Sequence, residues 1–259
     1  MTTNNTTNIT NATNVTSNSN LTSLTGVLYP NIPHENQSAV DHAAMFSPPR
    51  VIKVTDGVYS AIGFSMGNVL MIEGTDGIII IDTLETNEAA QKALDALHKI
   101  TTKPVVAVIY THNHVDHTEG AGVFVKDGEK AGKKVDVIAQ ASLLTNYYKS
   151  YGTLAQQQAR YSYRWGGSFL PTEGEDRVIS AGIGLPTQLG TSSFVPPNVT
   201  FNKTLNVTYA GVKMILGSQP GETPDELYVW LPEKKILFVG ENLYKLFPNL
   251  YSMRGIRYI

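Results

Sequence analysis

Cysteine is absent from the 259 residues. No disulfide can staple this chain and no thiolate can ligate a metal. Charge is scarce as well: Asp, Glu, Lys and Arg make up 16% and leave a formal net charge of −2, which argues against nucleic acid as the main partner. No apolar run approaches the roughly 20 residues of a membrane span. None of the four charged residue types occurs before Glu35. Asn and Thr dominate residues 1 to about 40 instead, and such a composition cannot bury enough apolar surface to offset its ordering entropy. The basic start and apolar centre of an export signal are also missing, so a cytoplasmic location is expected. The Asn-x-Ser/Thr triplets at Asn4, Asn5, Asn8, Asn11, Asn14, Asn20 and Asn36 are then read as a by-product of composition, not as glycosylated sites. The last absence is of histidine, none of which follows His117. Hydrophobic residues are 42% of the chain, enough for one sizeable core. The expected organisation is a disordered tail over 1–44 and a single domain over 45–259.

Against that scarcity, Thr111-His112-Asn113-His114-Val115-Asp116-His117 concentrates three of the six histidines and a carboxylate. Neutral imidazoles and carboxylates are a ligand set that zinc accepts. His112 and His114 alternate, so in an extended segment they face the same way. Asp116 and His117 follow at once and can turn towards a second point, giving two ligands to each of two neighbouring metals. The apolar run 105–110 just before them reads as a buried strand, which places the motif in the loop at a strand's C-terminal end, where α/β sites usually lie. A polar loop with surface histidines accounts for one histidine easily and for three with an Asp poorly.

Structure is expected to begin near Pro48-Pro49. Residues 51–54 and 58–62 flank an Asp56-Gly57 turn and read as a hairpin, with a second over 68–73 and 77–82. Ile78-Ile79-Ile80-Ile81 is apolar on both faces, which marks a central buried strand. It ends at Asp82, either a partner for a ligand histidine or a simple turn acceptor. Asn87 is the expected cap of a helix to about Ile100, with Ala90, Ala93, Leu94, Leu97 and Ile100 on one face. His98 on that helix is expected to be exposed or structural. Residues 135–139 read as a strand and 142–160 as helical. Tyr147, Tyr148, Tyr151, Tyr161 and Tyr163 are expected to be packing aromatics. The Gly- and Pro-rich stretch 164–198 reads as a long ordered loop. Short strands are expected over 199–205, 207–209 and 212–216, and a pair over 226–231 and 235–239. Asp225 and Glu226, at the head of that pair, are expected to be solvated.

Two carboxylates close the set. Glu222 lies in Gly221-Glu222-Thr223-Pro224-Asp225-Glu226-Leu227, and Glu241 ends a strand at Gly240-Glu241-Asn242. One strand-turn-strand unit separates them, so both could return to the same sheet edge, although spacing alone is a weak signal. HxHxDH at His112, His114, Asp116 and His117 matches the signature of the metallo-β-lactamase superfamily. With Glu222 to Leu227, Gly240-Glu241-Asn242 and Asn249-Leu250-Tyr251-Ser252-Met253-Arg254-Gly255 in the same order, the chain resembles the alkyl sulfatase branch of that superfamily, as does the segment 160–185. The resemblance runs from about residue 45 to the last residue.

The resemblance implies an α+β fold, the αββα four-layer sandwich, and a two-zinc site. His112, His114 and Glu222 would hold one Zn²⁺, Asp116 and His117 the other, and Glu241 would bridge them, with Asp116 and Glu241 as the catalytic carboxylates. Asn249 and Arg254 would anchor the sulfate, a role for which an amide and a planar guanidinium suit a tetrahedral oxyanion. The implied reaction is hydrolysis of an alkyl sulfate ester to alcohol and sulfate. The family also places a further histidine on the second zinc, downstream of Arg254. Its absence leads to the expectation of a domain incomplete at its C-terminus, with weak activity and with uncovered apolar faces on the helix 87–100 and the strand 236–239. A family-type homodimer would need the missing region. The rival readings are a metallo-β-lactamase-fold hydrolase acting on a thioester, lactone or lactam, and a non-catalytic metal-binding fragment. A carboxylate at position 222 speaks against the first rival, because the common hydrolases of the superfamily use a histidine there.

Overall fold

The computed structural model describes residues 37–157, 159–160, 171, 174, 177–180 and 183–243. They build two sheets. The larger has seven strands in chain order: β1 (Arg50–Thr55), β2 (Val58–Ile62), β3 (Val69–Glu73), β4 (Ile78–Ile81), β5 (Val105–Ile109), β6 (Asp136–Gln140) and β7 (Val199–Phe201). Pairing is antiparallel from β1 to β4 and parallel from β4 to β7. The smaller sheet is an antiparallel meander of β8 (Thr204–Tyr209), β9 (Val212–Ser218), β10 (Leu227–Leu231) and β11 (Ile236–Phe238).

Two cores follow from the pleat, which points successive side chains to opposite faces. Ile78 and Ile80 of β4 enter a core on one face of the large sheet, with Ala90, Ala93, Leu94, Leu97 and Phe124. Ile79 and Ile81 enter the other, against Met214, Leu216, Leu227 and Val229 of the small sheet. The helices covering the first core are α2 (Asn87–Leu97) and α4 (Ala121–Lys130). Helix, sheet and sheet are thus three layers of the expected αββα sandwich. Among the described residues no helix is long and apolar enough to cross a membrane.

Several local expectations shift. Order begins before Pro48-Pro49: α1 covers Gln37–Ala44, and its Ala43 packs with Ile179. Helix α2 is capped by Thr86, not Asn87. The Thr86 hydroxyl accepts the Ala89 N–H at 3.2 Å, while the Asn87 side chain bonds Thr191 and Ser193. The helix stops at Leu97 and leaves Ile100 outside the apolar face. That face is fully covered, with Ala89, Ala90, Ala93, Leu94 and Leu97 all buried, so the uncovered surface expected there does not exist. On β11, Leu237 is exposed while Ile236 and Phe238 pack on the inter-sheet core. Helix α4 was not expected: its sequence carries two glycines and two valines, poor helix formers. The backbone approach explains one of them, since a Cβ on Gly128 would collide with the Val105 carbonyl of β5. The helical stretch expected over 142–160 is broken up. α5 (Leu143–Tyr147) runs into a π-helical turn, Tyr148–Thr153. Tyr147 stacks on Phe194 with centroids 4.2 Å apart, in keeping with a packing role. Tyr161 and Tyr163 lie outside the described residues, as does most of 160–176.

His98 is structural. It caps α2, its Nδ1 donating to the Thr101 carbonyl and its Nε2 to Asp127 Oδ1, each at 2.9 Å. Burial alone would lower its pKa, but the Thr101 carbonyl and the Asp127 carboxylate outweigh burial and raise it. Both ring nitrogens donate, which requires the imidazolium. A raised histidine contributes stability that is fully present below its unfolded value near ~6.5 and is lost as pH rises through the folded value. Unfolding by urea should therefore show a loss of up to about 1 kcal/mol as pH rises through that interval. His98→Ala should flatten this step, and an unchanged step in the variant would assign it to another group.

Candidate metal centre

All the candidate ligands gather at one end of the two sheets. Strand β5 finishes at Ile109 and delivers His112 and His114 in the loop beyond it. His114 caps a one-turn helix, α3 (Val115–Thr118), which carries Asp116 and His117. The turn between β9 and β10 contributes Glu222. A 3₁₀ turn, Gly240–Asn242, after β11 contributes Glu241. The histidines and Asp116 are buried, and the Glu222 and Glu241 side chains keep only 15% and 14% exposure.

The donor atoms form two groups, His112, His114, Glu222 and Glu241, and Asp116, His117 and Glu241. In the first, His112 Nε2 stands 3.0 Å from His114 Nδ1, 3.8 Å from Glu222 Oε2 and 3.6 Å from Glu241 Oε2. His114 Nδ1 is 3.5 Å from Glu222 Oε2. In the second, His117 Nε2 is 3.5 Å from Asp116 Oδ2 and 3.4 Å from Glu241 Oε1. Tetrahedral zinc with bonds of ~2.0–2.1 Å needs ligand atoms roughly 3.3 Å apart, and both groups fit. Glu241 turns one oxygen to each group.

Asp82 is the hydrogen-bond partner of a candidate ligand histidine. His117 Nδ1 donates to Asp82 Oδ2 at 2.8 Å, leaving Nε2 to face Asp116 and Glu241. The same carboxylate accepts the Thr111 N–H and hydroxyl, both at 2.8 Å. With its own proton given to Asp82, the Thr111 oxygen can accept from His112 Nδ1, 3.0 Å away. One carboxylate thus orients two candidate ligand rings, His117 directly and His112 through Thr111. Burial by itself would lower the His117 pKa, but Asp82 and Asp116 hold it well above the ordinary value. Zinc entering the second group would have to displace that proton.

Asp225 and Glu226 were expected to be solvated, and both are fully buried. Asp225 Oδ1 accepts Asn113 Nδ2 at 2.6 Å and Asn146 Nδ2 at 2.8 Å, which pins the residue between the two loop histidines. Glu226 accepts the backbone N–H of Glu222 at 2.8 Å and of Glu241 at 2.6 Å. Burial raises the pKa of Asp225 and pushes Glu226 up to about 7. Nothing in sequence separates such residues from exposed acids, because their partners are backbone groups and distant amides. Glu85 is a further buried carboxylate. It bonds the Ser65 hydroxyl and the Gln188 N–H, and burial, with the Asp116 charge, raises its pKa. Asn249 and Arg254, the expected sulfate anchors, lie outside the described residues.

The family model described as the metallo-beta-lactamase superfamily matches residues 62–248. The linear primary-alkylsulfatase of Pseudomonas sp. (strain ATCC 19151) is 34% identical over 192 residues, covering 73% of this chain and 36% of that protein. The alkyl/aryl-sulfatase BDS1 of Saccharomyces cerevisiae is 30% identical over 239 residues, covering 89% and 36%. A solved double mutant of the sec-alkyl sulfatase PisA1, an enzyme from Pseudomonas sp., superposes with a TM-score of 0.76 at 30% identity, over 86% of this chain and 36% of that one. The chain therefore spans about a third of the length of these relatives.

Proposed function

From the premise that the chain belongs to the metallo-β-lactamase superfamily, in its alkyl sulfatase branch, we propose that it serves the zinc-dependent hydrolysis of alkyl sulfate esters to alcohol and sulfate. The observation that carries this reading is the pair of donor groups joined through the two oxygens of Glu241. His112, His114 and Glu222 would hold one zinc, Asp116 and His117 the other, and Glu241 both. Ions bound there would polarise the ester and lower the pKa of a bound water.

The protein's own groups then have defined tasks. Asp82 keeps the His117 ring oriented and its Nε2 turned to the site. Asp116 and Glu241 would be the carboxylates beside the reacting centre. The Asp116 oxygen not given to the metal would accept the proton that water gives up as its oxygen joins sulfur or carbon and the ester bond breaks. That proton would then pass to the departing oxygen, while Glu241 would hold its two oxygens on the two ions. Asn249 and Arg254 would hold the sulfate oxygens, by the family pattern. A carboxylate at Glu222 supports this chemistry over thioester, lactone or lactam hydrolysis.

Two measurements test the reading together. Purified protein should take up zinc, and His114→Ala should lose the ion held with His112 and Glu222. Incubation with a medium-chain alkyl sulfate should release inorganic sulfate. Zinc binding with cleavage of a lactam or thioester and none of the sulfate ester would replace this reaction with the rival one. Zinc binding with no hydrolysis would leave a metal-binding protein, and zinc uptake unchanged in the variant would refute the ligand set.

A further inference from the structure

The motif holding Glu222 and the motif holding Glu241 share a dipeptide: Gly221-Glu222 and Gly240-Glu241. Each Glu donates its backbone N–H to a different oxygen of the same buried side chain, Glu222 to Glu226 Oε2 and Glu241 to Glu226 Oε1. The glycines are explained by the same carboxylate. A Cβ on Gly240 would stand 2.6 Å from Glu226 Oε1, and one on Gly221 2.7 Å from Oε2 and in collision with Asn242. Any side chain before either ligand would push it off the shared acceptor.

We infer that Glu226 is a positioning residue that sets the spacing of the two metal-ligand carboxylates by gripping their backbones. The inference rests on the metal-site reading of Glu222 and Glu241. The β9–β10 turn and the 3₁₀ turn after β11 stand at the same end of the small sheet, and their carboxylates converge on His112 Nε2 from 3.8 and 3.6 Å. Like charges brought that close repel when no cation is bound. A fixed point behind both backbones keeps them together for the ion to enter. Besides Glu226, a longer bond joins the turns, from Asn242 Nδ2 to the Gln219 carbonyl at 3.2 Å.

Glutamine at this position separates gripping from filling. It has the same shape, but its amide nitrogen would confront one of the two N–H donors. Glu226→Gln should weaken zinc binding by roughly 10–100-fold, the usual effect of losing a group that orients a ligand, measured on folded protein by competition with a chelator. In the metal-free protein, amide hydrogen exchange at Glu222 or Glu241 should accelerate by more than about tenfold. A side chain that only fills space would leave both readouts at wild-type values in the glutamine variant, and that result would overturn the inference. Should the variant not fold, wild-type exchange decides. Both amides lie outside the strand ladders and should exchange far more slowly than other turn amides, and open-turn rates would overturn the grip. Failure of wild-type protein to bind zinc would sink the metal reading, while the exchange measurement still tests Glu226 on its own.

Discussion

Replacing Glu241 with alanine should weaken both metal positions at once. Each of the other candidate ligands falls in one group, whereas Glu241 turns Oε2 to His112 and Oε1 to His117. Without it the second group keeps only Asp116 and His117 from among the described residues, and the first keeps His112, His114 and Glu222. Alanine at 241 still presents its N–H to Glu226, so the turn has reason to persist and the fold should survive. A metal clamp contributes several kcal/mol to the transition state, and about 4 kcal/mol is roughly a thousandfold in rate. Release of sulfate from an alkyl sulfate should fall by about that factor or more. Zinc titration should show one weakened site and one lost. Two tight zincs in this variant would remove Glu241 from the bridge.

The second large effect is expected at Asp82. It is 4% exposed and accepts three hydrogen bonds, from the Thr111 N–H, the Thr111 hydroxyl and His117 Nδ1. Its backbone sits at φ 61°, left-handed, a conformation that Asp tolerates and Ala disfavours by roughly 1–2 kcal/mol. Asp82→Ala should thus cost about 3–5 kcal/mol of stability, the usual result of breaking a buried charged network from one side. Asp82→Asn keeps one acceptor oxygen and the left-handed preference, and should lose about half as much. Alanine releases the His117 ring, and the zinc expected with Asp116 should weaken ~10–100-fold, whereas asparagine can still accept the His117 Nδ1–H and should weaken it less. Urea midpoints rank the three proteins, and equal losses for Ala and Asn would show that strain and the remaining acceptor count for little.

How much was legible beforehand varies with the physics involved. The segment 112–117 announced itself because dense imidazoles and carboxylate have few uses other than a metal, and the strand before it fixed its place. Glu222 and Glu241 carried no such density. Spacing left them as two strand-end acids, and only the resemblance to alkyl sulfatases raised them. Asp225 and Glu226 went unrecognised because a buried acid looks like an exposed one until its donors are in place, and those donors are amide side chains distant in sequence for Asp225 and main-chain N–H groups for Glu226. Helix α4 was hidden by its glycines, of which Gly128 marks close packing against β5 and Gly122 close packing against Ser193. The cap of α2 was off by one residue, since Thr86 and Asn87 both have capping side chains and only the turn geometry chooses between them.

The four isoleucines of β4 bear on cooperativity. Ile78 and Ile80 belong to the core under the helices, Ile79 and Ile81 to the core between the sheets. Neither core has a boundary that avoids this strand, so loosening one withdraws a wall from the other. The helical layer and the small sheet should therefore melt in one transition, and β4 amides should exchange only through global opening, at the full free energy of unfolding. A slip of a single residue in its pairing would exchange the occupants of the two cores. Because all four are isoleucine, the side-chain volumes would still match, and register must be held by the neighbours: Glu73 opposite Ile78 on one side, and on the other the shift between Ile78 and Ile79 where β4 meets β5.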